Sequence, residues 1–338
     1  MGARPTQLLR IEAPFHLEAG EVFPELHLAY RTWGRLAPSK DNAVLVCHAL
    51  TGSADVDLWW PGVLGPGRAL DPARDFVVCS NVLGSCYGST GPGSLDPGSG
   101  TVWGKRFPEI TVRDMVHAQA LLLDHLGVRR LSLVVGGSLG GMQVLEWGVT
   151  FPERVAAMAP IATAGRTSAW CIAFSEAQRA ALEAAGNEGM GLAVARMIAM
   201  CSYRSPGELA ARFGRQAAGG GGFSVQGYLR HQGEKLAARF EPDSYKVLLR
   251  AMDTHDVSRG RGAYEEVLSC VKVPALVISI DSDALFLPAE QRELVRLLPC
   301  AELAMLTSAH GHDAFLVDQN AVNEALATFR RVLVRRVG

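Results

Sequence analysis

The chain reads as an α/β protein, a mostly parallel sheet flanked by helices with one inserted helical lid. Short apolar, β-branched runs alternate with longer segments of helical period. A glycine-framed serine follows one such run and precedes a helix, and a single long stretch rich in Ala, Arg and Glu breaks the alternation.

Taken in order, the polar-alternating stretches around residues 8–12 and 26–33 read as antiparallel strands at the sheet's edge. Core strands are predicted at 43–47, 76–80, 131–135, 155–161 and 275–280, with 301–306 after them. Each is a bounded apolar run of the kind a buried parallel strand needs. Thr111 has the chemistry of an N-cap and Asp114 follows three residues later. The helix they open runs to about Leu126 and stops at Gly127. Another helix covers 142–150, and Pro288 suits the first turn of a helix over 290–298. In the final helix, 319–334, Val322, Leu326, Phe329 and Leu333 share one face of a 3.6-residue period.

Residues 164–268 hold no convincing strand and include the glycine run 219–222, read as flexible. They form a helical lid inserted into a catalytic core of residues 1–163 and 269–338. An insertion there overhangs the strand ends, where open α/β sheets place their active sites. Met190, Met197 and Met200 sit at near-helical spacing and read as the lid's own core.

Lys and Arg number 33 against 34 Asp and Glu, which leaves no electrostatic footprint for nucleic acid or an anionic membrane. No apolar run approaches the roughly 20 residues of a membrane span, and residues 1–10 lack a signal peptide's apolar core. The cysteines are odd in number and form no C-x-x-C pair, so neither a zinc site nor a disulfide framework is expected. The expectation is a soluble, cytoplasmic protein with no metal and no bound cofactor.

The run Gly136-Gly137-Ser138-Leu139-Gly140 is the G-x-S-x-G pattern in a strand–turn–helix setting, which presents a serine on a sharp elbow. A serine hydroxyl needs a base, and the base needs an acid to hold its tautomer. On this architecture the partners follow in the order Ser, Asp or Glu, His. Asp281 and Asp283 come after the strand at 275–280, and His310 and His312 after the strand at 301–306. Asp283 lies deeper in its loop, whereas Asp281 reads as closing the strand. His312 is favoured over His310 because Gly311 precedes it and an apolar, helix-like run follows. Oxyanion donors are expected from the backbone N–H of Leu139 and, in the loop His48–Gly52, of Leu50. Cys47 and His48 are adjacent on a strand end and point to opposite faces, so they read as a buried thiol and a structural histidine. Trp59 and Trp60 line an entrance or pack in the core.

These residues resemble one family closely, the homoserine O-acyltransferases, above all the homoserine O-acetyltransferases of the α/β-hydrolase fold. The resemblance is carried by HALTGS (48–53), NVLGSCYGSTGP (81–92), GGSLGGMQVLEW (136–147) and YRS (203–205). It extends through YLRHQGEKLAARF (228–240), AMDTHDVSRGRG (251–262), SDALF (282–286) and GHDAFL (311–316). It implies Ser138 as nucleophile, Asp283 as acid and His312 as base. It also implies that Arg204 grips the carboxylate of the acceptor amino acid and Asp313 its ammonium. The implied reaction carries acetyl from acetyl-CoA, a substrate rather than a cofactor, through an acyl-serine to L-homoserine, for methionine biosynthesis. A homodimer formed through the lid is implied as well. Succinyl-CoA as donor, L-serine as acceptor, and an esterase or thioesterase are the alternatives. A binding protein without activity is disfavoured, because Ser138, Asp283 and His312 are all present. Leu139 replaces a common Met and Leu287 a common Pro; neither removes a chemical group, and Leu139 could bear on acyl preference.

Overall fold

The computed structural model of the chain describes residues 6–337, so the first half of the 1–10 stretch read above lies outside the described residues. Eight strands form one sheet: β1 (Gln7–Ile11), β2 (Leu26–Trp33), β3 (Ala43–Cys47), β4 (Phe76–Ser80), β5 (Leu131–Gly137), β6 (Met158–Ile161), β7 (Ala275–Ile280) and β8 (Ala301–Leu306). Their spatial order is β1-β2-β4-β3-β5-β6-β7-β8. β1 and β2 pair antiparallel at one edge, as do β2 and β4, and every remaining neighbour is parallel. All residues of β3, β4 and β7 are buried. Helices covering both faces account for sequences that are apolar but for Ser80 and Ser279.

Helix α1 (Val112–His125) opens with the capping box expected of Thr111 and Asp114: each side chain accepts from the other's backbone N–H. Helix α2 (Leu139–Thr150) starts three residues earlier than its sequence suggests. Gly140 and Gly141 have poor helix propensity, yet they occupy its first turn. A Cβ on Gly140 would stand 2.1 Å from the Cys47 carbonyl oxygen, and one on Gly141 2.6 Å from the Thr163 side chain. Strand β6 is shorter than expected, because Val155 makes only an isolated bridge to Leu131 before regular pairing begins at Met158.

Between β6 and β7 lie helices α3 (Ala169–Ala184), α4 (Glu188–Tyr203), α5 (Pro206–Phe213), α6 (Ser224–Ala237), α7 (Pro242–Asp253) and α8 (Tyr264–Cys270). α4 packs against both α3 and α6. The glycine run is a tight turn rather than a featureless tether. Ala217–Ala218 and Gly222–Phe223 pair antiparallel across Gly220 and Gly221, both at positive φ. Of the three methionines read as lid core, Met200 is buried and Met190 is exposed. Helices α9 (Pro288–Leu297) and α10 (Gln319–Val337) complete the chain, and α10 buries Val322, Leu326 and Phe329. Among the described residues no helix is long and apolar enough to cross a membrane.

The segment after α7 is riveted to the core by charge. Buried Glu146 of α2 accepts from Arg113 Nε of α1 at 3.0 Å, from Arg261 Nη2 at 2.5 Å and from Thr150 Oγ1 at 2.8 Å. Arg259 forks onto Glu18 at 3.2 and 2.6 Å, and Glu18 also meets Arg113 at 2.6 Å. Burial raises the Glu146 carboxyl, but the Arg261 hydrogen bond and charge outweigh it and leave the group below its ordinary value. A depressed folded value means stability that is present above the unfolded carboxyl's ordinary range, near 4.3, and lost as pH falls through the folded one. Glu146→Ala should therefore cost about 3 kcal/mol in urea unfolding at neutral pH. The gap from wild type should narrow in acid.

Candidate active site

Ser138 lies between β5 and α2 at φ 59 and ψ −124, a conformation that a side-chain-bearing residue adopts only when its surroundings enforce it. Its N–H donates to Ile161 O at 3.0 Å. Its carbonyl accepts from Met142 N at 3.1 Å and from Thr163 Oγ1 at 3.0 Å. The flanking glycines are a matter of space. A Cβ on Gly136 would meet the Cys47 carbonyl oxygen at 2.4 Å, and one on Gly137 would meet the Phe315 ring at 2.6 Å.

Asp283 and His312 come together from the loops after β7 and β8. Asp283 Oδ2 is 2.7 Å from His312 Nδ1, and its Oδ1 accepts from the N–H groups of Leu285 and Phe286 at 2.8 and 3.0 Å. The His312 ring is walled by Tyr203, Phe286 and Phe315 at centroid distances of 5.7, 5.3 and 5.7 Å. Phe315 also covers Gly137, so one ring borders both the imidazole and the residue before Ser138. Burial pushes the His312 imidazole down, but the charge and hydrogen bond of Asp283 more than offset this, with Asp313 adding, and it ends above its ordinary value. The other two candidates go elsewhere. Asp281 Oδ1 accepts from Ser308 N at 3.0 Å, closing the end of β7, and His310 stands 3.4 Å from Glu208.

The loop after β3 carries Leu50 and is pinned by His48. His48 Nδ1 bonds Ala49 O at 2.8 Å, and its Nε2 accepts from Val82 N at 3.1 Å, which assigns the proton to Nδ1. Burial lowers this imidazole to about 4, so it is neutral and structural, as its place on the strand suggested. Cys47 is buried beside Gln119, and burial raises its thiol. Gln143 of α2 donates to His48 O at 3.4 Å, tying this loop to the helix that begins at Leu139. As the first residue of that helix, Leu139 has a backbone N–H with no intrahelical acceptor. The two tryptophans divide their roles: Trp60 is fully buried with Nε1 on Phe315 O, whereas Trp59 lines an open cavity.

Arg204, just after α4, meets Asp313, from the loop after β8, with Arg204 Nε 3.3 Å from Asp313 Oδ2. Gly311 makes this possible. It holds φ 65, and a Cβ there would stand 2.6 Å from Ser205 N and 2.8 Å from the Arg204 carbonyl carbon. Burial raises the Asp313 carboxyl, against the pull of Arg196, Arg204 and His312. The sequence reading passed over Glu208, whose Oε1 is 3.1 Å from Arg204 Nη1, and Arg196, which stacks on Tyr203 with the guanidinium 5.0 Å from the ring centroid. Their local sequence carries no signal, since each reaches the site from a helix between β6 and β7.

A family model described as the alpha/beta hydrolase fold matches residues 42–187. The chain is 52% identical over 340 residues to the homoserine O-acetyltransferase of Trichormus variabilis, across 97% of this chain and 94% of the relative. The solved homoserine O-acetyltransferase from Bacillus anthracis superposes with a TM-score of 0.88 at 23% identity, covering 96% of this chain and 97% of that one. Esterase E22 superposes equally well, with a TM-score of 0.88 at 23% identity over 96% of this chain and 99% of its own. Sheet, elbow and neighbours together define an α/β-hydrolase-fold protein. Within that fold, identity over nearly the whole length of its relatives makes the chain a member of the homoserine O-acetyltransferase family.

In an NMR titration the His312 imidazole should lose its proton above the usual 6.5. Asp283→Asn should move the titration downward, because burial then acts without the carboxylate. An unmoved midpoint would show that Asp283 does not control this ring.

Proposed function

We propose that the chain is a homoserine O-acetyltransferase that works through an acetyl-enzyme on Ser138. The observation that carries this reading is identity to named homoserine O-acetyltransferases along nearly the full chain, lid included. The backbone alone does not discriminate, since an esterase fits it as well.

In the first half-reaction His312 Nε2 takes the Ser138 proton as Oγ attacks the thioester carbonyl. The Asp283 bond at Nδ1 fixes the tautomer that leaves Nε2 free, and its charge stabilises the imidazolium that forms. The developing oxyanion is received by the N–H groups of Leu50 and Leu139, the second also at the positive end of α2. The thiol of CoA leaves with the proton. In the second half-reaction L-homoserine is held by its charges, the carboxylate on Arg204 and the ammonium on Asp313, two groups already 3.3 Å apart. His312 deprotonates its hydroxyl, which attacks the acyl-serine; the bond to Ser138 Oγ breaks, His312 returns the proton to that oxygen, and O-acetyl-L-homoserine leaves.

Residues 164–268 serve in this reading as a lid that keeps water from the acyl-serine. A cytoplasmic homodimer formed through the lid belongs to the same proposal, supported by Trp170, Met190 and Val194 exposed on α3 and α4. Sedimentation of the full chain tests it.

Brief mixing with acetyl-CoA should add one acetyl mass to the peptide containing Ser138, and L-homoserine should discharge it. A succinyl adduct, or discharge by water alone, would redirect the assignment. Ser138→Ala should lower kcat by about four orders of magnitude or more. Asp313→Asn should cut kcat/KM for homoserine roughly tenfold to a hundredfold, while acylation changes far less. The base must be neutral to act and its value is raised. Acylation should therefore decline on the acid side from a pH above the ordinary histidine value.

A further inference from the structure

A cavity of about 340 Å³ adjoins the loop that carries Leu50. Its inner end is His48, and its outer end is marked by Leu58, 76% exposed, and Trp59. Two arginines of the lid line it, Arg196 on α4 and Arg239 just after α6. Arg239 reaches only neutral acceptors: Nη1 donates to Thr51 O at 2.8 Å and to Tyr87 Oη at 2.6 Å, and Nη2 to Thr51 Oγ1 at 3.4 Å. Arg196 stacks on Tyr203, and Asp313, whose carboxyl feels its charge, lies beyond ion-pair distance. Among the described residues neither guanidinium has a carboxylate within 4.0 Å, unlike Arg113, Arg204 and Arg261 of the same region. Asp55 is the one carboxylate lining the cavity, and Arg31 Nη1 holds it at 2.7 Å.

Resting on the acetyl-CoA reading, we propose that Arg196 and Arg239 bind the phosphate groups of the acyl-CoA donor. A guanidinium satisfied only by neutral partners keeps its full charge, and its planar fork matches phosphate oxygens. Two such groups around one cavity exceed what the single carboxylate of an amino acid would need, and Arg204, which does not line the cavity, is the group assigned to that carboxylate. Leu58, Trp59 and Leu316 give the wall between them an apolar face suited to the thioester's pantetheine arm. Arg239 thus ties three things together: the lid, the Thr51 carbonyl next to the Leu50 donor, and the anionic end of the donor.

The test compares two thioesters with the same reacting group, acetyl-CoA and S-acetylpantetheine, which lacks the phosphates. Acylation rate constants are measured with the full chain as wild type, Arg196→Ala, Arg239→Ala and Arg239→Lys. The wild-type preference for acetyl-CoA should fall at least tenfold in either alanine variant, through a higher KM, and return in part in Arg239→Lys. It should also weaken with added salt in wild type more than in the variants. A ratio unchanged by either substitution, or both thioesters slowed in equal proportion, would overturn the proposal; the latter would leave the arginines as supports of the loop. Wild-type protein that takes acetyl from S-acetylpantetheine but not from acetyl-CoA would overturn the underlying functional reading as well.

Discussion

The site hangs on one close approach, the end of β3 pressed against the first turn of α2. The Cys47 carbonyl oxygen occupies the space where residues 136 and 140 would carry a Cβ. Only a glycine at both positions lets the two backbones come this near. Several consequences follow from that contact. The helix can begin directly after Ser138, the serine is driven to φ 59, and the loop after β3 is tied to the same helix by Gln143 on the His48 carbonyl. The serine's N–H donates to the Ile161 carbonyl, and its carbonyl accepts from the Met142 N–H and the Thr163 hydroxyl, which together hold the strained residue in place.

The second organising feature is the way the helices between β6 and β7 reach down to both flanks of the elbow. On one flank the backbone of residues 203–205 passes so close to Gly311 that no side chain fits there, and Ser205 Oγ bonds Ala309 O at 2.5 Å. On the other, Arg239 bonds Thr51. Behind them Arg259 and Arg261 fasten the returning chain to Glu18 and Glu146. A structure anchored at three places can hold charged side chains such as Arg204 in register with groups on the core.

Two histidines show how burial alone decides little. Both His48 and His312 are buried. His48 has only the Ala49 carbonyl and the Val82 N–H as partners, and burial drives it to about 4, a neutral prop for the loop. His312 has the Asp283 carboxylate and is held above its ordinary value. The difference is chiefly one carboxylate, Asp283 at 2.7 Å, with Asp313 adding to it.

Much of this was legible in the residues themselves. Apolar runs located six core strands, and the Thr111 and Asp114 spacing located a capped helix, because these signals act over a few residues. The order of Ser138, Asp283 and His312 followed from chain connectivity on a parallel sheet. The start of α2 was missed, since glycine's local preference argues against a helix and only the Cys47 contact reverses it. The turn at 219–222 was missed for a related reason: polyglycine is silent until flanking strands pair. Glu208 and Arg196 had no local mark at all, and Arg239 lay in a stretch that carried the resemblance without being singled out. They lie on or just after helices between β6 and β7, whose faces are chosen by packing against one another and against loops up to 188 residues away in sequence, as between Arg239 and Thr51. The sequence by itself determined which groups can do chemistry and in what order they are strung. Only the tertiary structure decided which charges meet, because electrostatic pairing depends on distances of a few ångströms that the chain reaches only when folded.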